Sequence, residues 1–137
     1  RPDVGAVVHT HSPYATGFAL AGRALDCSYE ALVRFDMTDG VPLARYGPRG
    51  SPMAVTNIAD ALARAKHTKA VLLENHGVLA FGADPLAAAR VNVILEEAAQ
   101  MAIYAEALGG AKIIPAELRR ASVERRDEFA RIGTQRT

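Results

Sequence analysis

Hydrophobic residues follow two patterns along the chain, and together these patterns predict a mixture of strands and helices. Short continuous apolar runs are typical of buried strands, whereas apolar residues that recur every three or four positions are typical of amphipathic helices. The predicted strands cover residues 4–9, 31–35, 41–44, 70–73 and 78–81. The predicted helices cover residues 13–21, 52–66, 85–108 and a charged segment from 115 to about 133. Short turns join these elements, which indicates an α/β sandwich in one domain.

Local signals support the predicted helix boundaries. A serine or aspartate followed by proline is typical of a helix N-terminus. Such pairs occur at Ser12-Pro13, Ser51-Pro52 and Asp84-Pro85. Gly22 and Gly109-Gly110 are suited to ending a helix, and Asp39-Gly40 indicates a turn. The longest predicted helix carries an apolar stripe that we interpret as core or subunit packing: Ala87, Val91, Ile94, Ala98, Met101, Ala105 and Leu108.

Composition narrows the functional classes. The 137 residues carry a formal net charge of +1, so neither a nucleic acid nor a membrane surface is expected as a partner. No apolar run approaches the ~20 residues that a membrane-spanning helix needs. The single cysteine, Cys27, excludes an internal disulfide and suits a reducing compartment, which predicts a cytoplasmic location. The chain lacks an initiator methionine and enters a predicted strand almost at once, so we expect it to be part of a longer protein.

The candidate chemistry lies in residues 7–11, Val-Val-His-Thr-His, and in residues 74–77, Glu-Asn-His-Gly. His9 and His11 are two positions apart at the end of a predicted strand, so their side chains point to the same face. His76 lies in the turn between two further predicted strands, which could deliver it to that face. Three neutral imidazoles are a common ligand set for a catalytic zinc with one open coordination position. We therefore predict a metal site formed by His9, His11 and His76.

Other interpretations of these histidines remain open at this point. A histidine in a core is more often a hydrogen-bonded structural residue than a ligand. A His-x-His pair also occurs in cupins, although the next glutamate here is Glu30, too far away for a cupin motif. Such a pair occurs in barrel amidohydrolases as well, but 137 residues are too few for that barrel. We interpret His67 as a solvent-facing charge at the end of a helix.

Both histidine segments resemble signatures of one protein family. Residues 1–11, Arg-Pro-Asp-Val-Gly-Ala-Val-Val-His-Thr-His, closely resemble the metal-site strand of the class II aldolase/adducin family. Residues 72–79, Leu-Leu-Glu-Asn-His-Gly-Val-Leu, resemble its second signature, and the resemblance runs from residue 1 to about residue 106. The family includes fuculose- and rhamnulose-phosphate aldolases, ribulose-phosphate 4-epimerases, sugar-acid phosphate decarboxylases and the non-enzymatic adducin head.

The resemblance implies a fold and a ligand set. His9, His11 and His76 would be the ligands of Zn²⁺, or of another divalent metal such as Mn²⁺. The fold would be a three-layer α/β/α sandwich around a mainly antiparallel sheet. Residues 1–137 would form a single domain of this type, without its N-terminal part.

The resemblance also implies that some of the site lies elsewhere. In the family's enzymes the phosphate-binding loops and the acidic base lie upstream of the Arg-Pro-Asp motif. We therefore expect the 137-residue chain to bind zinc but to have negligible activity by itself. A tyrosine from a neighbouring subunit completes the family's site, which implies a homo-oligomer, with a tetramer as the first expectation. An ungapped alignment places Glu30 at the position of that tyrosine, and a shift of one residue places Tyr29 there.

Two residues near the second signature are further candidates. Glu74 could orient a ligand imidazole, although a glutamate at a strand end is commonly just solvated. Arg49 lies in residues 46–50, Tyr-Gly-Pro-Arg-Gly, and could face an anionic substrate, although we interpret this segment as a plain connecting turn.

These observations predict a zinc-dependent lyase of the class II aldolase type. A zinc held by three neutral imidazoles polarises a bound carbonyl, and the charge left when a C–C bond breaks is stabilised as an enediolate. The predicted substrate is a small hydroxy-carbonyl compound, either a sugar phosphate or a keto acid. A decarboxylase, epimerase or dehydratase could use the same electron sink. The alternative from another class is a non-catalytic adducin-like interaction domain, which would not need three metal-ligand histidines.

Overall fold

The computed structural model describes residues 1–134, which form a mainly antiparallel sheet covered by helices. The strands are β1 (Ala6–Thr10), β2 (Leu43–Ala44), β3 (Ala70–Leu73) and β4 (Gly77–Gly82). The helices are α1 (Pro13–Leu20), α2 (Glu30–Arg34), α3 (Pro52–Arg64), α4 (Pro85–Glu106) and α5 (Ala116–Thr134). The strand order is β1-β4-β3-β2. β4 is antiparallel to both of its neighbours, and β2 is parallel to β3.

Side-chain alternation along the central strands creates a hydrophobic core on each face of the sheet. In β3, Ala70 and Leu72 belong to the larger core, which also contains side chains of α1, α2 and α4. Val71, between them, belongs to a smaller core that it shares with Ala61 of α3. Helices therefore cover both faces, and the predicted three-layer α/β/α sandwich is confirmed.

β1 is an edge strand with one open face. The sequence predicts a buried strand at residues 4–9, but the strand spans Ala6–Thr10 and Val7 is 53% exposed. The reason is that α3 packs against β2 and β3, at the opposite edge of the sheet. Because side chains alternate, His9 lies on the same open face as Val7.

The strand predicted at residues 31–35 is wrong, because this segment forms α2. Leu32 and Val33 are both buried in the larger core. A helical turn allows two successive side chains to contact one core, whereas in a strand they would point to opposite faces. The strand predicted at residues 41–44 is confirmed in part, since β2 covers only its last two residues.

The buried stripe of α4 is shifted from the predicted one. Its members are Ala88, Val91, Leu95, Ala98, Ala99 and Ala102. The helix ends at Glu106, before Gly109 and Gly110 with their positive φ angles, so Leu108 lies beyond it and is 89% exposed. None of the described helices combines the length and the apolar character that crossing a membrane requires.

Candidate metal centre

The structure brings His9, His11 and His76 together on the open face of the sheet. The ring centroids lie 5.0 Å apart for His9 and His11, 4.8 Å for His9 and His76, and 5.2 Å for His11 and His76. One ring nitrogen from each residue lies within 4.8 Å of the others, and all three side chains are exposed. In the described part of the chain, this is the one group of three or more His, Cys, Asp or Glu residues close enough to share an ion.

Strand register explains why residues so far apart in sequence meet. β1 pairs with β4 so that Thr10 lies opposite Val78. One step further, His11 lies next to Gly77, at the start of β4. A Cβ atom on Gly77 would lie 2.5 Å from the Thr10 carbonyl oxygen and 2.7 Å from Cδ2 of His11. The close approach of His11 to the turn that carries His76 therefore requires glycine at position 77.

A backbone contact sets the orientation of His9. Its Nδ1 lies 2.8 Å from the carbonyl oxygen of Val78. A carbonyl oxygen only accepts hydrogen bonds, so Nδ1 carries the proton and donates. The other ring nitrogen, Nε2, is then the deprotonated atom that can bind a metal, as is usual for histidine ligands.

The surroundings of His76 disfavour its positively charged form. Desolvation lowers the pKa of His76, and Coulombic interactions with His9, His11 and Arg49 lower it further. A neutral imidazole is the form that donates its lone pair to a metal. Three neutral nitrogen donors suit zinc and similar ions better than the hard cations that prefer oxygen. The donor set therefore fits a divalent transition-type ion.

A polar network from α4 supports the segment that carries His9 and His11. Oδ1 of Asn92 accepts a hydrogen bond from the Thr10 hydroxyl at 2.7 Å, and its Nδ2 donates to the Ser12 hydroxyl at 3.0 Å. The Glu96 carboxylate accepts from the backbone N–H groups of Tyr14 and Ala15 at 2.8 and 2.9 Å. Glu96 thus caps α1, whereas the Ser12 side chain makes no capping bond.

This supporting network was not predicted from the sequence. One signal for it exists: Asn92 and Glu96 are two polar residues four positions apart, each next to a buried residue of the α4 stripe. Polar residues at that spacing share one side of a helix and can act together.

Glu74 and Arg49 border a cavity of about 200 Å³ beside His76. The cavity is also lined by Arg45 and Tyr46. The Glu74 carboxylate accepts a hydrogen bond from the Tyr46 backbone N–H at 2.7 Å. The segment interpreted as a plain connecting turn therefore forms a wall of the candidate site.

Tyr29 and Glu30 lie elsewhere in the chain, at the start of α2. The Tyr29 hydroxyl donates to the Glu97 carboxylate of α4 at 3.0 Å, and this hydrogen bond raises the pKa of Tyr29. Glu30 accepts a hydrogen bond from Ser122 of α5 at 3.5 Å. Neither residue lines the cavity beside His76.

Comparison with known proteins gives consistent results. The family model described as "Class II Aldolase and Adducin N-terminal domain" matches residues 1–103. A 5-methylthioribulose-1-phosphate/5-deoxyribulose-1-phosphate aldolase of Rhodospirillum rubrum is 33% identical over 117 residues, covering 85% of this chain and 51% of that protein. The decarboxylase NovR of Streptomyces niveus is 34% identical over 127 residues, covering 88% of this chain and 43% of that protein.

The structural comparison supports the same relationship. A solved L-fuculose 1-phosphate aldolase superposes with a TM-score of 0.81 at 29% identity, covering 91% of this chain and 57% of that chain. The chain spans about half the length of the curated relatives it matches.

Proposed function

Since the chain belongs to the class II aldolase and adducin family, a family that is generally metal-dependent, we propose that it carries the metal site of a zinc-dependent, cytoplasmic lyase. The proposed reaction is cleavage of a C–C bond in a small hydroxy-carbonyl compound such as a sugar phosphate. The observation that carries this proposal is the convergence of His9, His11 and His76 on one open face. A divalent ion held there would polarise the substrate carbonyl and stabilise the charge of the enediolate that remains after cleavage.

Each residue of the site has a proposed role. His9, with its Nδ1 proton engaged by Val78, presents Nε2 to the ion, and His11 and His76 complete the ligand set. Glu74 acts by position, because its carboxylate holds the backbone of Tyr46 beside the cavity. Tyr29 or Glu30 would serve the site of a neighbouring subunit, where a hydroxyl or carboxyl group can donate or accept a proton.

A second candidate function is decarboxylation. The similarity to the decarboxylase NovR, at 34% identity, favours it. A β-keto acid leaves the same kind of negative charge when it loses carbon dioxide, so the same ligand set suits both reactions. Assays of C–C cleavage by the complete protein, with a hydroxy-ketone phosphate and with a β-keto acid, would separate the two.

The metal can be tested directly. We expect the purified protein to contain one divalent ion per chain, most of it zinc, by elemental analysis. His76→Ala should lose the ion, because two imidazoles hold zinc far less well than three. His67→Ala is the matched control, since His67 is exposed and is not part of the histidine cluster. A metal-free wild type that gains no thermal stability from added zinc would contradict the proposal.

We propose that the complete protein is a homotetramer. Three exposed apolar side chains lie along the outer face of α4, namely Leu86, Val93 and Tyr104, with Arg90 and Glu97 between them. Exposed apolar side chains bordered by polar residues are typical of a surface that another subunit covers. Light scattering should show an oligomer, and Val93→Glu should weaken it. A monomer at high concentration would exclude a site shared between subunits.

A further inference from the structure

Arg49 is a positively charged residue in the wall of the cavity beside His76. Among the described residues, neither Arg49 nor Arg45 has an ion-pair partner, and neither guanidinium makes a hydrogen bond to protein. Both side chains line the cavity beside His76. Such a group beside a metal centre attracts an anion.

The segment that carries Arg49 is fixed by several contacts. Asn57 of α3 donates from Nδ2 to the carbonyl oxygens of Arg45 and Tyr46 at 3.2 and 3.1 Å. Glu74 accepts from the Tyr46 N–H. A Cβ atom on Gly47 would lie 2.6 Å from the backbone nitrogen of Ala54, so the segment packs directly on the first turn of α3. Because the backbone of this segment is already held in place, less conformational entropy is lost when a ligand binds to it.

From this placement we propose that Arg49 binds an anionic group of the substrate, a carboxylate or a phosphate, while the adjoining hydroxy-carbonyl group faces the histidine cluster. A guanidinium pairs with either anion through two parallel hydrogen bonds. Arg49 would then be a specificity-determining residue that favours charged substrates over neutral ones. This inference rests on the proposed function, because the histidine cluster must hold the metal that receives the hydroxy-carbonyl end.

Three small probes test the inference by calorimetric binding to the zinc-loaded protein. Dihydroxyacetone, dihydroxyacetone phosphate and hydroxypyruvate share one hydroxy-ketone group and differ in the rest of the molecule, which is neutral, a phosphate or a carboxylate. We expect at least one anionic probe to bind the wild type more tightly than dihydroxyacetone. Arg49→Gln should weaken that probe by about tenfold, the usual loss for a charge-assisted hydrogen bond. Binding of dihydroxyacetone and the zinc content should stay unchanged.

The variants and probes separate the outcomes. Arg64→Gln removes the same charge from the last turn of α3, away from this cavity, and should leave all three affinities as they are. Arg49→Lys should restore part of the lost affinity. A loss confined to hydroxypyruvate identifies a carboxylate, and one confined to dihydroxyacetone phosphate identifies a phosphate. If Arg49→Gln binds the anionic probes as tightly as the wild type does, or loses as much affinity for dihydroxyacetone, the role of Arg49 is overturned. The proposed function is not affected by either outcome. If the zinc-loaded wild type binds no probe, the proposed function fails as well.

Discussion

At position 77 the absence of a side chain decides how closely His11 can approach the turn that holds His76. The Cβ of an alanine would lie 2.5 Å from a backbone oxygen of β1, which cannot move aside as a flexible side chain could. We expect Gly77→Ala to cost about 1–3 kcal/mol of stability, as overpacking typically does. Zinc affinity should fall by at least about tenfold, because ligand orientation depends on such supporting contacts. Chemical denaturation and competition with a zinc chelator measure these two effects.

Gly17 provides the control for this substitution. It lies within α1, and a Cβ atom built there meets nothing within 4 Å. Gly17→Ala should therefore stabilise the protein by about 0.5–1 kcal/mol through higher helix propensity, and zinc affinity should not change. If Gly77→Ala binds zinc as the wild type does, the close approach at Gly77 has no part in building the site.

At the scale of elements, the cap of α1 shows how a helix of the core supports the candidate ligands. Glu96→Gln leaves one side-chain oxygen where two now accept the N–H groups of Tyr14 and Ala15. It also removes a negative charge from the start of α1. We expect a loss of about 1–2 kcal/mol in the free energy of unfolding, the usual cost of losing a helix cap. Urea denaturation is the measurement.

The neighbouring residue supplies a matched control. Among the described residues, Glu97 accepts a hydrogen bond only from the Tyr29 hydroxyl, and a glutamine can still accept it. Glu97→Gln should change stability by less than about 0.5 kcal/mol, as surface substitutions usually do. If the two variants lose the same free energy of unfolding, the hydrogen bonds from Glu96 to the start of α1 do not stabilise the protein.

The range of the contacts explains which elements the sequence could predict. β3, the turn with His76 and β4 are adjacent in sequence, and an apolar run on each side of Asn75-His76-Gly77 was sufficient to predict them. The segment 31–35 was misassigned because its helical form depends on burial against α4 and α5, which no local pattern records.

Sequence separation also decides which parts of the candidate site could be predicted. The three histidines stand in two local motifs, but their meeting depends on the pairing of β1 with β4 across 69 positions, which was expected from the resemblance of both motifs to one family. Glu96 reaches Tyr14 across 82 positions of sequence, and Glu74 reaches Tyr46 across 28. Contacts of that range depend on how helices pack on the sheet, so the support of α1 and the wall that contains Arg49 became visible only in the structure.

At the scale of the whole molecule, one carboxylate joins three separate segments. Asp36, just after α2, pairs with Lys69 before β3 at 2.7 Å and with Arg126 of α5 at 2.6 Å. Burial tends to raise the pKa of Asp36, but the hydrogen bonds from Lys69 and Arg126 outweigh burial, so the pKa lies below its ordinary value of 3.8. The unfolded chain therefore binds a proton here at a higher pH than the folded protein does.

This depressed pKa determines the sign of a pH dependence. The stability contributed by Asp36 is fully present above pH 3.8 and is lost as the pH falls through the lower folded value. We expect Asp36→Asn to be less stable than the wild type by about 0.5–1 kcal/mol near neutral pH, a modest effect because the ion pairs are partly exposed. Asparagine tolerates the positive φ of 59° at this position, so the substitution changes charge without adding backbone strain.

Urea denaturation from about pH 7 to pH 3 should show the two stabilities converging below about pH 4. Asp60→Asn, on the exposed side of α3, is the control and should follow the wild type throughout. A constant difference between wild type and Asp36→Asn down to pH 3 would show that the charge of Asp36 does not hold α5 against the rest of the molecule.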